Sequence, residues 1–363
     1  MGPTLGGWLT DSYDWRWIFL INVPVGVVLI LLVQSMIHDR GPTRASRGLS
    51  VDWLGFGFVA LSLVCLQVVL DRGQDADWFG STLITTLMVI SASAFVLLAW
   101  RELRHEHPMV DLRLFRDPGF AVTFLLMLML GFMLFGSTFL IPAYAQQLMG
   151  YRAIDAGLVL TPGGIATILL MPLVGRSLNK VDLRVLTAVG LIIGGASLWL
   201  MTNLYLDASF RTLMWLRVLQ SLALPFLFLP INALAFRDIP PDKTNNASAL
   251  INLARNFGGS IGIAFASTLL TRREQFHQSR LVEQLQGLNP AYTEFTHQLG
   301  SALGSAPDSA TTLANIYNQA VQQSQLLSYL DGFKALALLF LALLPLLLLV
   351  RPGKGGEGPA PAH

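Results

Sequence analysis

The chain has 363 residues, of which 53% are hydrophobic and 13% charged, against about 25% charged in an ordinary soluble domain. That excludes a single water-facing globule, whose surface needs more polar cover than this composition supplies. A formal net charge of +2 with no basic run interleaved with aromatics speaks against a nucleic-acid partner, and the lone Cys65 excludes an internal disulfide.

Crossing a hydrocarbon core of about 30 Å takes about 20 apolar helical residues. Met1–Leu9 is too short for that and looks like the tail of a helix. Nine longer stretches suffice: Trp15–Ile37, Trp53–Leu70, Phe79–Trp100, Phe120–Ala145, Ala156–Leu178, Leu183–Leu204, Leu213–Phe236, Ala247–Leu270 and Phe333–Val350. The expected fold class is therefore all-α, a polytopic membrane helix bundle. Pro24, Pro142, Pro162, Pro172, Pro225, Pro230 and Pro345 fall within these stretches. A bundle in lipid tolerates them because neighbouring helices and water satisfy the freed carbonyls. Both simple curvature and a hinge remain open for each.

Between the spans, Arg101–Pro118 sets Met109, Val110, Leu112, Leu114 and Phe115 among arginines and acids, a pattern for a short amphipathic surface helix or a solvated linker. Thr271–Asp331 is polar, rich in Gln and Ser, and is expected outside the membrane, with helical stretches around Leu281, Leu285 and Leu288. The tail 351–363 is of low complexity and expected to be disordered.

Positive charge alternates between loops. Arg40, Arg44, Arg47, Arg101, Arg104, Arg113, Arg116, Arg176, Lys180, Arg184, Arg237, Lys243, Arg351 and Lys354 fall on one side, and Arg16, Arg72, Arg152 and Arg211 on the other. The excess places the C-terminus in the cytoplasm.

No Walker A sequence or His-Glu-x-x-His occurs, and no hydrolytic motif is expected to operate. His105 and His107 pair only in a charged surface stretch, so neither a metal nor another cofactor is expected. Charge inside a span costs about 2.5–3.5 kcal/mol at its centre on insertion scales, which singles out Arg217, with Gln220 on the same face, and Arg255. At helical spacing Ser248, Asn252, Arg255, Asn256 and Gly259 form one polar stripe, suited to a water-filled cavity or a polar partner helix. Snorkelling to the interface is the competing reading for both arginines. Ala254, Gly258, Gly262 and Ala266 recur every fourth residue and allow close helix packing; Gly2 and Gly6 share that spacing. No Asp or Glu falls in the middle third of an expected span, and Asp331 is placed at a span end.

These residues resemble a family. Gly2–Gly26 (GPTLGGWLTDSYDWRWIFLINVPVG) is similar to the end of the fifth and the sixth span of the fourteen-helix drug:proton antiporters of the major facilitator superfamily, the EmrB/QacA group. Gly2, Pro3, Gly6 and Gly7 match the end of that family's antiporter motif. LDRGQDADWF resembles its central loop, HPMVDLRLFRDPGF its cytoplasmic linker, IPAYAQQLMGYRAIDAGLVLTPGG the ninth and tenth spans, and NNASALINLARNFGGSIGIAF the thirteenth. Gly175, Arg176, Lys180 and Arg184 look like the second-half copy of the cytoplasmic loop motif, with Asn179 and Asp182 departing from it. Arg217 and Gln220 look like the second-half echo of Arg-x-x-Gln-Gly, with Ser221 in place of the glycine.

The resemblance implies these units: 1–37 from the N-terminal bundle, 38–100 two central helices, 101–117 a cytoplasmic linker, and 118–350 a C-terminal six-helix bundle with an outside loop at 271–331. It also implies that four spans and most of a fifth are absent, among them the part that carries the family's proton-linked acid. The implied function is export of lipophilic compounds in exchange for protons, with Arg217, Gln220, Ser248, Asn252, Arg255 and Asn256 along the pathway. The implied partners are the bilayer, small lipophilic substrates and protons. Some relatives also use a periplasmic adaptor protein and an outer-membrane channel. The other reading is a non-transporting remnant, or an interaction subunit that needs a separate N-terminal half.

Overall fold

The computed structural model describes residues 2–36, 52–104, 112–237, 239, 243–285, 290–304, 306–307 and 309–350. Arg40, Arg44 and Arg47, the His105/His107 pair, Met109, Val110, Leu288 and the tail 351–363 lie outside the described residues. The described chain is helical throughout: α1 Gly2–Ser12, α2 Trp17–Leu20, α3 Asn22–Met36, α4 Trp53–Arg72, α5 Thr82–Arg104, α6 Pro118–Gln147, α7 Ala153–Ser177, α8 Leu183–Met201, α9 Phe210–Arg237, α10 Thr244–Gln284, α11 Pro290–Leu303 and α12 Ala310–Ala342. A 3₁₀ turn at Leu112–Arg116 precedes α6, and another at Leu344–Leu349 follows α12.

Eight of these segments are long and apolar enough to cross a membrane. The expected span Ala247–Leu270 is not one of them: it is helical within α10, but Asn252, Arg255, Asn256 and Ser260 dilute its apolar character. It still lies in the bundle, packed against α6 and α12. Its small-residue side is covered by α6, while Asn252 and Asn256 on its polar side are exposed.

The stretch 271–331 differs more. Rather than a loop with helical pieces, α10 runs on to Gln284 and α12 begins at Ala310, so both spanning helices continue past their apolar parts. Asp331 consequently sits mid-helix. The 41 residues of α10 measure about 60 Å at 1.5 Å per residue, twice a hydrocarbon core. The two extensions are stitched together: Arg273 Nε and His277 Nε2 meet Asp331 Oδ2 at 2.5 and 2.7 Å, Gln325 donates to Glu274 at 3.0 Å, and Gln278 donates to Tyr317 at 2.9 Å.

Helices α6 to α10 and α12 form the six-helix bundle, with α6 at its centre touching α7, α9, α10 and α12. The α6–α10 pair is the tightest seam. A Cβ at Gly258 would collide with the Leu128 carbonyl, and one at Gly262 with that of Phe132. Ala254 and Ala266 on the same row are buried. Small residues thus let two backbones meet where lipid gives no hydrophobic drive for larger ones. Toward the C-terminal end of α6, Tyr144 and Tyr329 stack edge to face at 5.6 Å. Their hydroxyls donate to the Tyr205 carbonyl at 2.7 Å and to Gln147 at 2.6 Å, so each buried ring has its polar tip satisfied.

The prolines divide by position. Pro142, Pro162, Pro172, Pro225 and Pro230 lie inside helices. Pro24 falls in the first turn of α3, and Pro345 lies in the 3₁₀ turn after α12 has ended, so neither interrupts a helix interior.

Helices α4 and α5 pair with each other through Ser62 and Ser91, each hydroxyl donating to the other residue's carbonyl. At the end that carries Arg101, Asp52 caps α4 by accepting the Gly55 N–H at 2.9 Å and also receives the Arg101 guanidinium, Nη2 to Oδ1 at 2.8 Å. Helix α1 lies against α7, and the candidate span Trp17–Met36 has no buried residue in its apolar window.

Candidate functional site

The polar residues inside the bundle separate into two places. Arg217 lies two turns into α9 and is only 8% exposed. It does not snorkel. Its Nη1 donates to Gln220 Oε1 at 2.6 Å and its Nη2 reaches Thr138 Oγ1 on α6 at 3.4 Å, while Nε finds no acceptor among the described residues. Gln220 can receive this bond because three residues along a helix bring two side chains to one face. The group borders a void of about 10 Å³ between α6, α9 and α12, at most the room of a single water, with Ser137, Ser221, Leu130, Leu227 and Phe340 on its walls. No carboxylate lines it. A cation is thus held in the bundle by neutral partners alone, an arrangement whose charge would draw electron-rich groups or water.

The second place is the face of α10 turned away from the Gly258 seam. Arg255 Nη2 donates to Asn252 Oδ1 at 2.9 Å, Asn252 Nδ2 donates to the Ser248 carbonyl at 2.9 Å, and the guanidinium lies 5.7 Å from the Phe228 ring centroid. Asn252 and Asn256 are exposed and Arg255 and Ser248 half-buried. One turn further on, Ser260 donates to Gln67 of α4 at 2.7 Å. Periodicity alone puts these side chains on one stripe. The sequence reading joined that stripe to Arg217 in one pathway, yet no α10 residue lines the Arg217 cavity.

Residues 258–262 also satisfy Gly-x-Ser-x-Gly, a spacing the sequence reading passed over. A nucleophile elbow needs a strand–turn–helix corner. Here the five residues are inside α10, and the Ser260 hydroxyl is engaged by Gln67 and the Asn256 carbonyl.

At the start of the chain, Gly2 and Gly6 face open space. Thr4, Gly7 and Asp11, spaced for one helical face, meet α7 instead: Thr4 bonds Thr161 and the Gly157 carbonyl, a Cβ at Gly7 would strike the Ala153 carbonyl, and Asp11 accepts the Ile154 N–H. Pro3 is within α1. Gly175 and Arg176 close α7, Lys180 is exposed in the following turn, and Arg184 opens α8, where Asp182 Oδ1 accepts its backbone N–H at 2.9 Å. Asp182 departs from the family pattern but serves as an N-cap.

Residues 1–263 match the family model described as Major Facilitator Superfamily. The chain belongs to that superfamily. It is a multi-pass membrane protein of a transporter family and not an enzyme. Among similar proteins, the multidrug export protein EmrB of Escherichia coli K12 is 33% identical over 98% of this chain and 69% of its own length. The probable multidrug resistance protein EmrY of the same organism is 32% identical over 98% and 69%. The fatty acid resistance protein FarB of Neisseria gonorrhoeae is 31% identical over 99% and 70%.

Proposed function

We propose that this superfamily member exports lipophilic compounds across the bacterial inner membrane in exchange for protons. The observation that carries the reading is the buried Arg217–Gln220 pair inside the bundle, beside a water-sized void. A transporter core needs polar groups that lipid cannot reach, and the cost of burying a lone guanidinium argues for a use. The names of the similar proteins EmrB, EmrY and FarB supply the class of cargo. Ser248, Asn252, Arg255 and Asn256 form the second polar surface, suited to a wet crevice between helices. Two fixed positive charges sit poorly against cationic cargo. In this reading the arginines organise water and neighbouring helices more than they touch substrate. The small-residue seam of Ala254, Gly258, Gly262 and Ala266 gives α6 and α10 a close contact about which they can shift. The Gly175–Arg184 turn lies at the arginine-rich, cytoplasmic end together with the C-terminus. A periplasmic adaptor and an outer-membrane channel would complete the route.

Uptake of a fluorescent lipophilic dye, added outside, into inverted vesicles tests this. Dye movement should depend on an imposed proton gradient and stop with an uncoupler. Arg255→Ala should lower transport without lowering the amount inserted. Transport indifferent to the uncoupler rejects antiport, and a normal rate from Arg255→Ala rejects that residue's assignment.

A further inference from the structure

Between the α4–α5 pair and the six-helix bundle lies a partly open cavity of about 200 Å³. Val59 and Leu63 of α4, Leu98 of α5, Phe124 of α6 and Leu253 of α10 form its walls, and Leu112 and Phe115 of the 3₁₀ turn its floor. The lining is apolar apart from Ser62, whose hydroxyl is bonded to the Ser91 carbonyl. Ordered water needs two or more polar partners and finds none here. The cavity exists because α4 approaches α10 lightly: the hydrogen bond joining them among the described residues is Ser260 to Gln67. On the floor, Phe115 is pinned edge-on by Phe120 and Phe124 at 5.5 and 4.8 Å. That fixes the turn so that Leu112 and Phe115 face the cavity while Arg113 and Arg116 are exposed.

Among the described residues beside this floor, the exposed charged side chains are arginines. Asp52 is bound to Arg101, Asp117 caps α6 through the Gly119 N–H, and Glu102 is buried. Arg104 and Arg116 are exposed and form no ion pair among the described residues. An apolar cavity whose floor residue Phe115 is followed by the exposed Arg116 suits one amphiphile class. We propose that it holds an acyl chain of an anionic phospholipid, whose headgroup lies against Arg116, and that this lipid completes the contact between the central helix pair and the bundle.

The test uses the whole chain in nanodiscs of phosphatidylglycerol or phosphatidylcholine, followed by native mass spectrometry. A phospholipid carrying a diazirine at its chain end reports the location. Phosphatidylglycerol should be retained in preference to phosphatidylcholine, and the diazirine should label peptides containing Leu63 or Leu253. Arg116→Gln should weaken retention about fivefold, and Ala99→Phe, which fills the cavity, should abolish the labelling. Equal retention of the two lipids, labelling elsewhere, or displacement of phosphatidylglycerol by added oleate would each overturn the proposal. If Ala99→Phe does not fold, the exposed Arg116→Gln and the labelling pattern of the unmodified chain still decide it.

Discussion

The Asp11 carboxylate of α1 accepts the backbone N–H of Ile154 at 2.9 Å, so one helix caps the first turn of another that follows 143 residues later. The N–H groups at a helix start have no partner within the helix, and a carboxylate there also meets the positive end of the helix dipole. Replacing Asp11 with Ala should cost about 1 kcal/mol and lower the thermal midpoint of the purified protein. Asp11→Asn should restore most of it, because the amide oxygen still accepts. Equal loss from both substitutions would point to another role.

Arg217→Met should separate stability from function. The guanidinium is buried with neutral partners only, and exchanging such a charge for an apolar side chain of similar length is often neutral or stabilising. The melting temperature should therefore hold or rise while dye export falls. A parallel loss of both would mean that Arg217 is there to brace α9 against Thr138.

Gly258→Ala should be far worse than Gly164→Ala. The first would drive a methyl into the Leu128 carbonyl, whereas the second meets open space. Overpacking of this kind costs about 1–3 kcal/mol, against a gain of up to about 1 kcal/mol for Gly to Ala in an unobstructed helix. Melting of the two single variants in detergent gives the comparison; similar midpoints would contradict the close approach of α6 and α10.

Asp331→Asn should loosen the extensions of α10 and α12. It removes the negative charge shared by Arg273 and His277, both partly exposed, and leaves only a neutral amide oxygen in its place. The effect on global stability should be small, about 0.2–1 kcal/mol. Amide exchange should nevertheless quicken locally over 271–284 and 310–331 and stay unchanged in α8. Unchanged exchange in both extensions would show that α11 and apolar contacts hold them together.

The spans were legible because runs of apolar residues carry their own length scale, and the polar stripe of α10 because 100° per residue is a fixed geometry. The family was legible in blocks such as Gly2–Gly26. Other features depend on contacts that no local pattern records. Whether Arg217 turns inward or toward the interface depends on Thr138, which is 79 residues away in sequence. The pairing of Asp11 with Ile154 joins helices that the sequence gives no reason to align. The stretch 271–284 was read as loop because Gln- and Arg-rich sequence is compatible with either a solvated helix or a coil. Its order comes from Asp331, Tyr317 and Gln325 on the facing helix. The two arginines were grouped by type, but they stand on different sides of the bundle wall.

Because α10 is continuous from Thr244 to Gln284, it acts as a lever whose short arm lies in the membrane. If its N-terminal part pivots on the Gly258–Leu128 contact by about 10°, the tip about 39 Å further along moves about 7 Å sideways. Through Arg273, Asp331 and Gln325 that swing is shared with α12. Small changes around Arg255 would therefore be magnified where the paired helices stand clear of the lipid.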